Sequence, residues 1–216
     1  GEEYMDFANS HLYVKVKITQ QDGANIANDA EVGPVNNFLH SLFSQVDISL
    51  NGTLITSSTN TYPYRAYIEN LLSHGPDSKE SQLTAALFYK DTPGRMTVAN
   101  PRVGVDARNH GLTKRAEFTN ESRVVDLIGR LHCDIFFQER YMLNEVNTKI
   151  RLIRSRGNFS LMSTGEFKVK IMSASLLICK VKVSPSVFLA HAKTLEKSLA
   201  KYPIRRVVCK TFTIPN

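Results

Sequence analysis

From His11 to Thr19, Leu12, Val14, Val16 and Ile18 alternate with Tyr13, Lys15, Lys17 and Thr19. A two-residue period of this kind predicts a strand with one buried face. Gln20 to Gly33 is polar and rich in Asp, Asn and Gly, which predicts a loop. Pro34 then opens a short apolar turn or helix, Val35 to Phe43. Val46, Ile48 and Leu50 alternate next, Asn51-Gly52 follows, and Thr53-Leu54-Ile55-Thr56 resumes the pattern. Asn-Gly suits the two positive-φ positions of a type I′ turn, so a hairpin is predicted, with Ile48 opposite Ile55 on the core face.

Pro63 fits the first turn of a helix, with Tyr64, Tyr67, Ile68 and Leu71 at helical spacing and His74-Gly75-Pro76 as its stop. A second helix is expected from Asp77, with Glu80 completing a capping box, through Leu83, Leu87 and Phe88. Residues 91–111 hold Pro93, Gly94, Pro101, Gly104 and Gly111 and read as a long surface excursion. Between 124 and 137 the odd positions from Val125 to Phe137 are apolar or glycine, which predicts a strand; Lys149 to Ile153 predicts another. Phe167, Val169, Ile171, Leu177, Cys179, Val181 and Val183 share one parity, and Lys168, Lys170, Lys180 and Lys182 the other. As one strand this stretch would reach about 55 Å, so it either bends near Ser173-Ala174-Ser175 or spans the whole domain. Ser184-Pro185 begins a helix whose buried stripe is expected at Phe188, Ala192, Leu195 and Leu199. Arg205 to Ile214 reads as a last strand.

Six or more strands without regular βα alternation argue against a parallel sheet. The expected fold is all-β, an antiparallel eight-stranded jelly-roll sandwich with helical insertions, forming one domain over 1–216. The 216 residues are 42% hydrophobic and 22% charged, a globular balance that excludes disorder and fibrous repeats. No apolar run has the length of a membrane span, and Gly1-Glu2-Glu3-Tyr4 lacks the parts of a signal peptide, so neither secretion nor a membrane partner is expected. The start on Gly1 points to an excised or processed piece. Cys133, Cys179 and Cys209 are expected as buried, reduced thiols in a reducing compartment, because their spacing fits no disulfide framework and no zinc site. Charge is uneven. Residues 1–137 carry 12 Lys/Arg against 16 Asp/Glu, a net of −4, and residues 138–216 carry 15 against 4, a net of +11. A basic half of this kind fits solvated strand faces, nucleic acid or an acidic partner.

The motifs that carry chemistry are missing: no phosphate-binding glycine loop, no H-E-x-x-H, no G-x-S-x-G. His132-Cys133-Asp134 has the residue types of a nucleophile, base and carboxylate. On a strand Cys133 would face away from His132 and Asp134, so the three would not meet. No histidines pair at ligand spacing. Of the three glycosylation sequons, at Asn51, Asn120 and Asn158, the first is better explained by the hairpin. No catalytic, cofactor-binding or metal-ligating residue is assigned, no cofactor is expected, and the chain is not expected to be an enzyme.

Five phrases carry a resemblance. They are Leu-Phe-Ser-Gln-Val-Asp-Ile-Ser-Leu-Asn-Gly-Thr (42–53), Asn-Thr-Tyr-Pro-Tyr-Arg-Ala-Tyr-Ile-Glu (60–69), Ile-Gly-Arg-Leu-His-Cys-Asp-Ile-Phe-Phe-Gln (128–138), Pro-Ser-Val-Phe-Leu-Ala-His-Ala-Lys (185–193) and Lys-Tyr-Pro-Ile-Arg-Arg-Val (201–207). Through them the chain resembles the hexon-like major capsid proteins of Polinton (Maverick) elements and the related adintoviruses. The resemblance implies two tandem jelly rolls that trimerise into pseudo-hexagonal capsomers. This chain has about half that length, so it is read as the N-terminal roll. The implied partners are copies of itself, other capsid proteins and packaged DNA in non-specific contact; the implied location is the virion, assembled in the host nucleus. The helices at 63–73 and 185–200 and the excursion at 91–111 are the candidate contact surfaces. The alternatives are a single-roll minor (penton) capsid protein and a basic nucleic-acid-binding module. A carbohydrate-binding jelly roll fits poorly, because the chain has no tryptophan for stacking on a sugar.

Overall fold

The computed structural model describes residues 3–214. Eight strands run in chain order: β1 (Glu3–Gln20), β2 (Val32–Pro34), β3 (Phe43–Leu50), β4 (Thr53–Leu54), β5 (Val125–Gly129), β6 (Thr148–Arg154), β7 (Leu161–Ser163) and β8 (Phe167–Lys182). Between and after them lie α1 (Phe38–Ser41), α2 (Tyr62–Ser73), α3 (Pro76–Glu80), α4 (His110–Thr119) and α5 (Pro185–Leu195), with short 3₁₀ turns. Every strand pairing is antiparallel, and the pairs are nested: β1 with β8, β2 with β7, β3 with β6. β5 covers the other edge of β1 and β4 is hairpinned to β3, giving sheets of three, two and three strands. Strand accounts for 30% and helix for 27%, so the expectation of an all-β chain is corrected to a sheet-rich mixed fold. One hydrophobic cluster fills the interior, from Phe7 and the Leu12–Ile18 alternation on β1 to Phe38, Ile48, Leu127 and Phe136.

The hairpin forms as its two turn residues require. Asn51 and Gly52 have φ of 48° and 82°, and the Ile55 N–H donates to the Ile48 carbonyl at 2.9 Å. Ile48 is fully buried and Ile55 packs against the core. The β1–β8 ladder spans the domain as one long ribbon, with two irregularities. Between Lys15 and Val16 the register shifts because β8 carries one extra residue, Met172. Between Asp6 and His11 it shifts again, this time on β1, where the Ser10 hydroxyl donates to the Asp6 carbonyl and accepts the Cys179 N–H. Each bulge reverses which parity faces inward. Between them Leu176 and Ile178 pack on the core and Leu177 is 51% exposed, the reverse of what shared parity predicts.

Other expectations need correction. The strand expected over 124–137 ends at Gly129, where a Cβ would sit 2.9 Å from Leu39 Cδ2; Asp134–Phe137 is a 3₁₀ turn. The helix expected from Asp77 breaks after Glu80, and Leu87 stands at φ 54°. The α2 face that is buried is Tyr62, Pro63, Ala66 and Asn70, leaving Tyr64 and Ile68 exposed. α5 has no buried residue. Arg205–Ile214 forms no strand, and Cys179 and Cys209 are only half-buried.

α4 was not foreseen. Asn109 caps it by accepting the Leu112 N–H, and its inward stripe is Gly111, Leu112, Arg115, Ala116 and Thr119. Arg115 is completely buried. Its guanidinium donates to the Pro34 carbonyl (2.8 Å), the Tyr89 carbonyl (2.5 Å) and Asp91 Oδ1 (2.8 Å), tying α4 to β2 and to the start of the 91–109 excursion. Gly111 lets α4 approach: a Cβ there would lie 2.5 Å from the Lys90 carbonyl oxygen.

Candidate functional site

Three of the phrases quoted above meet at one buried polar chain. α2 starts with Tyr62 and Pro63 inside and carries Arg65 and Glu69 one turn apart on its flank. α1 contributes His40, and the segment leaving β5 contributes His132, Cys133 and Asp134. Tyr62 Oη lies 3.0 Å from His40 Nδ1. The His40 and His132 rings meet edge to face, centroids 4.6 Å apart. His132 Nδ1 is 2.6 Å from Glu69 Oε2, and Arg65 Nε donates to Glu69 Oε1 at 2.8 Å. Arg65 Nη2 donates to Asp134 Oδ1 at 2.6 Å, and the same oxygen accepts the Val207 N–H at 3.1 Å. The C-terminal segment is further held where Thr61 Oγ1 donates to the Cys209 carbonyl and Arg206 donates to the Ile55 carbonyl.

Burial sets the electrostatics here. It drives His40 well below the ordinary histidine value, with His132 adding to the effect, and lifts the Tyr62 phenol well above its own. Burial also opposes the charged form of Glu69, yet the hydrogen bonds from His132 and Arg65 outweigh it and hold the carboxyl below its usual value. For Arg65 the bonds to Glu69 and Asp134 likewise overcome burial and raise its pKa. Burial pushes the Cys133 thiol up to about 12, so it stays protonated at neutral pH and lacks the thiolate a nucleophile needs.

His132, Cys133 and Asp134 line one small cavity of about 40 Å³, roofed by Val207 to Cys209. The strand geometry that should have separated them is absent, because the chain has left the sheet at Gly129. What separates their chemistry is commitment to other partners: His132 to Glu69, Asp134 to Arg65. Among the described residues no hydrogen bond joins the Cys133 thiol to either neighbour. The cavity has room for a few waters. The chain therefore acts as a lock between α2, the β5 exit and the C-terminal segment. Among the described residues, no group of three or more His, Cys, Asp or Glu side chains could hold a metal ion, and no helix is long and apolar enough to cross a membrane.

The three expected contact surfaces differ. The 91–111 excursion is anchored at home: Asn109 Nδ2 donates to Asp91, and Arg102 donates to the Ala30 carbonyl. α2 exposes Tyr64, Ile68 and Leu72 but buries its other face. α5 lies across a groove of about 720 Å³ lined by Tyr4, Tyr141, Val187, Leu195, Leu199 and Tyr202. Tyr4 reaches it, with Oη 2.9 Å from His191 Nδ1 and the two rings stacked at 5.8 Å. Val187, Leu189 and Leu195 on this helix remain exposed.

No family model matches the chain, and no solved structure does. It is 26% identical to an uncharacterized protein of Caenorhabditis elegans over 227 aligned positions, which take in 99% of the chain and 51% of that relative. The chain thus spans about half the length of the curated relative it matches.

Proposed function

We propose that the chain is a jelly-roll unit of a hexon-like capsid shell and that it works by self-association, not by chemistry. A jelly roll is an antiparallel ribbon rolled on itself, so its strands pair first with eighth, second with seventh, third with sixth and fourth with fifth. The first three of these pairings form here, while β4 pairs with β3 and β5 with β1. The nested β1·β8, β2·β7 and β3·β6 pairs support that reading. The five phrases that carry the capsid resemblance support it as well, three of them meeting in the buried lock.

The observation that carries the function is α5. An amphipathic helix usually buries its apolar stripe against its own domain. α5 has Val187, Phe188, Leu189 and Leu195, yet none is buried, while the domain core is complete without it. A second copy is the proposed cover, since shells and closed rings form from subunits that present matching patches. The test is chemical cross-linking in a mixture of isotopically labelled and unlabelled chain. Mixed-isotope links are expected at Lys193 and Lys197, beside the α5 patch. Links spread evenly over all surface lysines would overturn the proposal.

A further inference from the structure

A second groove, of about 400 Å³, opens between the start of α2 and the turn that joins β6 to β7. Its size falls within the roughly 300–1,000 Å³ of small-molecule sites. Tyr64 and Phe159 form an aromatic wall, rings edge to face with centroids 5.8 Å apart and planes at 72°. Both rings are open to solvent, 48% and 41% exposed, so neither serves the core. Arg154 and Arg156 line the same groove. Arg154 commits Nη2 to the Val169 carbonyl at 2.8 Å. Among the described residues, the exposed Arg156 guanidinium makes no hydrogen bond or ion pair. No Asp or Glu lines the groove, and the turn belongs to the half of the chain with a net charge of +11, 15 Lys/Arg against 4 Asp/Glu.

We propose that this groove binds single-stranded nucleic acid, with a base stacking on the Tyr64–Phe159 pair and Arg156 and Arg154 holding the neighbouring phosphates. Guanidinium groups match phosphate oxygens in charge and in fork geometry. Phosphate alone would gain nothing from two exposed rings. A base would, because any base offers a π face to an aromatic platform, provided that it is unstacked from its own neighbours. Duplex DNA hides those faces, which is why the ligand is single-stranded. The site shares no lining residue with the α5 groove and stands whether or not the shell reading does.

Fluorescence anisotropy with a labelled oligothymidylate of about 12 nucleotides, within the span of known single-strand sites, tests it. Tyr64→Ala and Phe159→Ala should each weaken binding at least about fivefold, the lower bound for base–aromatic stacking, with an unchanged salt slope. Arg156→Ala should weaken binding and reduce the slope of log K against log salt by about 0.7, one phosphate contact on a single strand. Phe159→Tyr should restore binding, and urea midpoints of the variants should match the parent, since all three side chains are exposed. The proposal is overturned if the oligonucleotide does not bind, if loss of the rings leaves affinity unchanged, or if duplex DNA or inorganic polyphosphate competes as well as the single strand.

Discussion

Arg115 is the largest side chain fully buried among the described residues, and it is charged. Replacing it with Met keeps most of the volume and removes the donors. The Pro34 and Tyr89 carbonyls each lose a bond of 2.8 and 2.5 Å, and Asp91 loses its cation at 2.8 Å. Breaking one side of a buried ion pair costs about 3–5 kcal/mol. The Asp91 side chain is 14% exposed, so water relieves part of that charge, while the two carbonyls each add roughly 1 kcal/mol for an orphaned acceptor. Arg115→Met should therefore cost about 4 kcal/mol, a large share of the roughly 5–15 kcal/mol a domain has. In urea, at about 2–3 kcal/mol/M for a chain of this size, the midpoint should fall by about 1.5 M. Adding Asp91→Asn should recover about 1 kcal/mol or more, because the stranded charge is gone. A loss below about 1 kcal/mol, or a double variant weaker than Arg115→Met, would refute the reasoning.

Three further outcomes are expected. Acid should weaken the fold in two stages: His40 and His74 sit below 6.5 and Glu69 below 4.5, so the unfolded chain takes up protons first, and stability present above those values is lost as pH falls through them. Stability from urea unfolding should fall between about pH 7.5 and about pH 5.5 by up to about 1.4 kcal/mol per pH unit from the buried His40, with less from the more exposed His74, whose charge solvent screens, and His40→Gln should flatten the slope. Gly52→Ala should cost only about 1 kcal/mol, since its φ is +82° but nothing lies within 4 Å of the new Cβ, whereas Gly111→Ala, driven against the Lys90 carbonyl, should cost more than twice that. A disulfide-exchange reagent at mildly alkaline pH should modify Cys209 and Cys179 before Cys133, read by peptide mass spectrometry; early labelling of Cys133 would contradict its burial.

The long strands were legible because their alternation reports a single buried face, and Asn51-Gly52 because only a few dipeptides accept two positive φ angles. Bulges were not. Two parity reversals on the β1–β8 ribbon cancel over its length, so Phe167 and Val181 still share a parity while Leu177 between them turns outward. Over 131–137 the odd-position pattern does not hold as burial: Leu131, Cys133 and Ile135 are buried, but so are His132 and Phe136, while Phe137 is 48% exposed. The chain has left the sheet there, and its 3₁₀ turn places side chains with a period other than two. α4 lacks a continuous apolar stripe in the sequence, because an arginine occupies the middle of its inward face, and only the distant carbonyls of Pro34 and Tyr89 make that tolerable. In the polar lock, the Arg65–Glu69 spacing of four residues was readable as a helix pair. Its partners His132 and Asp134 lie more than 60 residues away, where no local spacing rule reaches.

The central claim, that α5 is an unsatisfied self-association surface, is tested most directly by sedimentation velocity from about 1 to about 300 μM, the range in which small interfaces assemble. The chain should be a folded monomer at the low end and shift reversibly to larger species as concentration rises. Leu189→Glu with Leu195→Glu, at positions 59% and 43% exposed, should hold it monomeric throughout with an unchanged urea midpoint. A chain that stays monomeric across the whole range, or one whose association is indifferent to both substitutions, would contradict the account.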